Sequence, residues 1–181
     1  MSRSRSMKMQ EKEGAEEENI LGEVLVAEMR DAYHAENQLV KALPKMAKAA
    51  HDQVLKKSLE EHLEQTKGHL DRLRQSFEIL GEKAKGKPCK GMMGLVAEGS
   101  EHIMEGKKED ENEADLGLII AAQKVEHYEI SGYGSMRTLA EKLGQTDVVE
   151  LLRQTENEEK HADEILTEAS SRIMSQVGTS E

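Results

Sequence analysis

The chain has 181 residues, enough for one domain with a real core and too few for a large multidomain enzyme. Its formal net charge of -11 argues against a general phosphate-backbone binder, which needs clustered Lys and Arg to displace counterions. Aromatic residues are only 2% of the composition and prolines number 2, against abundant Leu, Ala, Glu, Lys and Met: the vocabulary of helices rather than strands.

Residues 1–18 carry almost nothing to bury and run from a basic Ser/Arg patch into an acidic block, so they are expected to be a disordered extension. A helical stripe follows over roughly 20–50: Leu21, Val24, Leu25, Met29, Ala32, Ala35, Leu39, Leu43 and Met46 recur at spacings of three and four. Pro44 lies late in it and predicts a kink or short break. After His51 and Asp52 a second stripe, Leu55 to Leu80, ends at Gly81, a suitable C-terminal cap. The segment EKAKGKPCKGMMG reads as a loop, and a shorter helix is predicted over about 92–106. Two further long helices, roughly 113–143 and 146–175, meet at Gly144, and 176–181 is expected to be a flexible tail. Two hairpins of long helices joined by a connection of some thirty residues define an all-α, ferritin-like four-helix bundle over 19–175, with a long crossover that holds a short extra helix.

No apolar run approaches the roughly 20 residues that span a bilayer, and no apolar signal segment opens the chain. The single cysteine, Cys89, has no intrachain partner, which fits a reducing compartment. A cytoplasmic protein with no membrane partner is therefore expected. The thiol itself is expected to pack beneath the loop.

The chemistry concentrates in buried-looking carboxylates. Glu126 and Glu129 interrupt the run Ile119, Ala122, Tyr133, Met136, Ala140, Leu143, whose other members a helix would bury. An uncompensated carboxylate in an apolar interior costs several kcal/mol, so this pair requires cations, protons or a water-filled cavity. At about 100° per residue, Glu36 points inward from the first helix, and His62, ahead of His69, from the second. On the fourth, the stripe passes between Glu158 and Glu159, leaving two pairs open: Glu158 with His161, or Glu159 with Asp163. Counting back from each hairpin turn places these residues at similar depth. Oxygen and imidazole ligands from four helices are what a carboxylate-bridged pair of iron or manganese ions requires.

The strings RDAYHAENQL, HLEQT, CKGMMGL, QKVEHYEISGYGSM and LLRQTENEEKHAD resemble, in this order, those of the YciF/YciE-type ferritin-like stress proteins of bacteria. The likeness covers roughly residues 19–170. It implies a ferritin-like fold, commonly a homodimer, with a di-metal site similar to that of rubrerythrins. Carried over by position, Glu36, His62, Glu126, Glu129, Glu159 and Asp163 are the implied metal ligands or their immediate neighbours. The second helix departs from the wider pattern: Glu64 is followed by Lys67 rather than by a histidine three residues on, and a relative with glutamate at the Gln65 position would have one more carboxylate.

The expectation is thus a di-iron or manganese carboxylate protein of the stress response that reacts with oxygen or peroxide or handles iron, a ferroxidase- or peroxidase-like oxidoreductase if it is an enzyme. Tyr33, Tyr128 and Tyr133 stand as hydrogen-bond or electron donors near the site. The rival is a metal-free helical dimer with a structural or interaction role, in which Glu126 and Glu129 pair with Arg137 or Lys124.

Overall fold

The computed structural model describes residues 2–177, with side chains from 18 onward. Five α-helices follow one another: α1 (Ser2–Ala49), α2 (Gln53–Ile79), α3 (Lys90–Glu105), α4 (Glu111–Lys142) and α5 (Thr146–Val177), with a 3-10 turn at Gly106–Lys108. The four long ones close a ring of contacts, α1 on α2, α2 on α5, α5 on α4 and α4 on α1, while α3 lies against α1 and α4. None of the described helices is long and apolar enough to cross a membrane.

Two features of α1 differ from the sequence expectation. It begins at Ser2 instead of near residue 20, so the backbone of the supposed disordered extension is helical. The segment contains no proline and is rich in Glu, Met, Lys and Arg, which continue a helix already nucleated downstream at little cost. Nor does α1 break at Pro44: the ring is exposed, while its neighbours Leu43, Met46 and Ala47 are anchored in the core on the opposite side. The expected tail from 176 lies outside the described residues after Val177.

The ends of the helices are set by local chemistry. Gly81 (φ 70°) and Gly144 (φ 66°) adopt the left-handed conformation that ends a helix cheaply only at glycine. The paired bonds Glu82 N to Phe77 O and Gly81 N to Glu78 O, matched by Gln145 N to Ala140 O and Gly144 N to Glu141 O, make each end a Schellman motif. At the other end of the bundle Asp52 caps α2 by accepting from the amides of Val54 and Leu55, and forms a two-pronged ion pair with Arg172 of α5. Those bonds hold its carboxyl well below the ordinary range, at about 2.

The turn between α1 and α2 is fastened from α4. Buried Asp115 accepts from the backbone amides of His51 (2.8 Å) and Asp52 (2.6 Å). Replacing it with alanine strands both amides, and hydrogen bonds to a charged group are worth about 1.5–3 kcal/mol. Asp115→Ala should therefore lower unfolding free energy by roughly 2–4 kcal/mol, read from the denaturant midpoint at unchanged slope.

The apolar core is divided. One cluster gathers Leu39, Leu43, Leu55, Leu59, Ile119 and Leu166; the other gathers Leu25, Met29, Phe77, Met136, Val148 and Leu152. Between them, at one level of the four long helices, lies a polar layer.

Candidate metal centre

The polar layer consists of Glu36 from α1, His62 and His69 from α2, Glu126 and Glu129 from α4, and Glu159 from α5, all buried. Two overlapping triads stand out. Glu36, His69 and Glu159 each offer a donor atom within 4.8 Å of the others, and so do His62, Glu126 and Glu159. Glu159 belongs to both, one oxygen facing each: its Oε1 is 2.9 Å from His69 Nδ1 and its Oε2 is 3.6 Å from His62 Nε2.

The outward-facing nitrogens of the two histidines are engaged, which fixes how the rings present themselves inward. His69 Nε2 donates to Glu158 Oε2 at 3.0 Å, and Glu158 is itself held by Arg72 and by Gln154. His62 Nδ1 lies 3.2 Å from Gln65 Oε1, and an amide oxygen can only accept, so this nitrogen carries the proton. His69 Nδ1 and His62 Nε2 are therefore turned toward the carboxylates, 3.3 Å from Glu36 Oε1 and 3.4 Å from Glu126 Oε1 respectively. Orientation of an imidazole by a polar partner on its far nitrogen is the arrangement that makes histidine a good metal ligand.

Many inward atoms have no hydrogen-bond partner: Glu36 Oε2, His62 Nε2, His69 Nδ1, Glu126 Oε2, Glu129 Oε2 and both oxygens of Glu159. Each such group costs about 1–3 kcal/mol when left bare. The electrostatics show the same frustration. Burial pushes the carboxyl groups of Glu126 and Glu129 well above the ordinary range, and the neighbouring charges, Glu159 first for Glu126 and Glu36 first for Glu129, push them further. Burial raises Glu36 too, although the charge of His69 offsets part of the effect. Glu159 goes the other way: burial would raise it, but His69, whose Nδ1 is 2.9 Å from its Oε1, holds it down. Burial alone would make His69 less basic, yet the charge of Glu36, the bond to Glu158 and the nearby carboxylate of Glu159 take it to about 12. Without a metal, the layer thus settles on protons and one imidazolium facing Glu159.

Tyr133 of α4 is wholly enclosed, donates its hydroxyl to Glu36 Oε1 and sets its ring edge-on to His69. Tyr33 is more remote, accepting from Arg74 Nε with its ring edge against Phe77. Tyr128 of α4 faces the crossover, where it meets buried Cys89 Sγ at 3.1 Å, and it donates to Asp31 of α1. Cys89 caps α3 by accepting from Met92 N, and burial pushes its thiol up.

The structure brings together Glu36, His62, Glu126, Glu129 and Glu159 of the residues expected from sequence, and leaves Asp163 out. The carboxylate of Asp163 faces α4, accepting from Gln123 Nε2 at 3.1 Å and lying 3.4 Å from exposed His127. The reason is angular: the inward seam of α5 runs Leu152, Thr155, Glu159, Ala162, Leu166, and four residues past Glu159 the helix has turned about 40° off it. His161 is exposed beside Glu164, so neither of the two pairs read from the sequence survives intact. The Arg137 and Lys124 partners of the metal-free alternative are engaged with Glu156 and Glu98 respectively.

A ring of four long helices around a buried layer of carboxylates and imidazoles places the protein among helical proteins with a ready-made polar centre. The chain belongs to the family described as "Domain of unknown function (DUF892)", which it matches over residues 21–177. It is 42% identical to protein YciF of Escherichia coli over 147 residues, 81% of this chain and 87% of the relative. The crystal structure of that E. coli stress protein superimposes with a TM-score of 0.82, covering 86% of this chain and 97% of the other at 39% identity. YcfI of Rhodopseudomonas palustris, proposed to be a structural protein, is 40% identical with a TM-score of 0.77 over 81% of this chain and 92% of its own. Protein XCC3681 of Xanthomonas campestris, at 22% identity and a TM-score of 0.67 over 85% of this chain and 93% of its own, shares the fold.

Proposed function

We propose that the protein is a ferritin-like, two-metal carboxylate protein of the bacterial stress response, binding iron or manganese and acting on oxygen or peroxide, or handling iron, as a homodimer. The observation that carries this reading is the set of bare donor atoms converging from four helices, with Glu159 common to both triads. Hydrogen bonding within the layer leaves them unsatisfied, whereas two divalent cations would satisfy them together. The donor set is hard oxygen with one imidazole per triad, which suits iron and manganese. Glu36 and His69 would hold one ion, His62 and Glu126 the other, Glu159 both, and Glu129 lies beside them. Bound there, the metals would supply one-electron chemistry toward oxygen or peroxide. Glu158 and Gln65 keep the two imidazoles oriented, and the flanking apolar clusters shield the layer from bulk water.

The competing reading, a metal-free structural protein, is favoured by what is said of the R. palustris relative and by nothing in the polar layer. Metal content decides between them. Anaerobic loading with Fe2+ followed by desalting should leave about two ions per chain, the number a bridged carboxylate site holds. Fewer than about one would overturn the metal reading.

A further inference from the structure

The polar layer is reached from the surface by a groove between α1 and α4 whose walls carry acid and no base. Among its lining residues are Glu28, Asp31 and Glu129, and none is Lys, Arg or His. Exposure falls along this series: Glu28 is exposed, Asp31 half-buried, and Glu129 only 4% exposed. Asp31 is steadied by the hydroxyl of Tyr128, which donates to its Oδ2 at 3.2 Å. Glu129 closes the inner end, and its Oε2 is buried without a hydrogen-bond partner. Small residues, Ala32 and Ala35 on α1 and Gly132 on α4, leave the space open; a Cβ placed on Gly132 would meet nothing within 4 Å. The groove holds about 190 Å³. At a liquid share of roughly 30 Å³ per water, that accommodates an ion with several waters.

We propose that this groove is the uptake route for divalent cations, with Glu28 and Asp31 as successive outer sites and Glu129 as the carboxylate that passes the ion inward. The proposal rests on the two-metal reading. Three carboxylates of falling exposure in a narrow cleft focus a negative potential that raises the local concentration of cations. The second opening to the layer, between α2 and α5, ends at His62 and Glu126 but is walled by Leu59, Ile165 and Leu166, with His161 at its rim. Its rim carries a single acid, Glu61, facing His161 across the opening, and no half-buried carboxylate lies between Glu61 and the buried Glu126, so the graded series of three acids is confined to the α1–α4 groove.

The test separates rate from affinity. Metal-free full-length protein is mixed rapidly with Co2+ and uptake is followed by the visible absorption of the bound ion, alongside an equilibrium titration. The double variant Glu28→Gln/Asp31→Asn should load about tenfold more slowly at low ionic strength, within the range electrostatic focusing supplies. That deficit should shrink as salt screens the groove, while equilibrium affinity stays unchanged. Gly132→Leu, which removes a helix-weakening glycine and fills open space, should slow loading at every salt concentration. Glu61→Gln, at the other opening, should load like the wild type. Wild-type rates in the first two variants, or an equal slowing by Glu61→Gln, would overturn the route while leaving the metal centre standing. If wild-type protein takes up no Co2+ at equilibrium, the metal reading falls and the route with it.

Discussion

Glu159→Gln should erase the rise in melting temperature that metal confers on the wild type. A ligand that binds only the folded state at about 100 times its Kd stabilises by about 2.7 kcal/mol. For a chain of this size that corresponds to roughly 5–10 °C. Glu36, His69, His62 and Glu126 each belong to one triad, but Glu159 belongs to both, so losing its charge weakens two sites at once. The amide also removes the anion facing His69, and the metal-free variant should melt somewhat lower than metal-free wild type. Two companions fix the assignment. Asp163→Asn should retain the full metal-dependent gain, because that side chain is bonded to Gln123 outside the layer. Glu158→Gln should retain a reduced gain, since loss of an orienting partner behind a histidine ligand costs about 10–100-fold in affinity. Differential scanning with and without Mn2+ reads all three. A Glu159→Gln protein with the wild-type shift would refute the shared-ligand geometry.

The helices were legible because their signals are local. Stripes at spacings of three and four set the hairpins, and Gly81 and Gly144 marked their ends, where the structure indeed needs positive φ. Depth was legible too: equal counts from each turn placed Glu36, His62, Glu126, Glu129 and Glu159 in one layer, and the split between the two apolar clusters falls at that level. His69 ranked behind His62 because angle from the centre of the α2 stripe alone set the order. His62 and His69 lie seven residues apart, two turns along one face, and that spacing was the available signal. The same structure reverses the reading of Gln65. It stands outside the layer as the acceptor for His62, a role that needs no charge. What the sequence could not supply was the choice among neighbouring acids on α5. Glu158 and Glu159 flank the stripe about 100° apart and Asp163 lies about 40° beyond Glu159, and the seating of Arg72 against Glu158 and of Gln123 against Asp163 leaves the inward position to Glu159.

Stability and metal affinity should respond to pH in opposite senses. In the metal-free protein, Glu126 and Glu129 are held above their ordinary pKa of 4.5 and His69 is raised from 6.5 to about 12. Each of these groups keeps its proton in the folded state at a pH where the unfolded chain has released it. Raised groups of this kind stabilise fully below their unfolded pKa and lose that contribution as pH climbs toward the folded value, by up to about 1.4 kcal/mol per pH unit for each extra proton held. The depressed carboxyls, Asp52 and Glu158 at about 2, work in the reverse direction, but their contribution is complete above pH 5 and leaves no slope beyond it. Metal-free protein should therefore become progressively less stable from pH 6 to pH 8 in urea denaturation. Cations compete with these protons for the same donor atoms, so affinity for Mn2+ should rise over that interval, by about tenfold per pH unit for each proton displaced. Replacing both Glu126 and Glu129 with glutamine leaves a neutral amide where a protonated carboxyl stood, and should flatten their share of both slopes while His69 keeps its own. Metal-free stability that increases between pH 6 and pH 8 would mean that the buried carboxyls are ionised and compensated by something other than a proton, and a proton would then no longer be what the metal replaces.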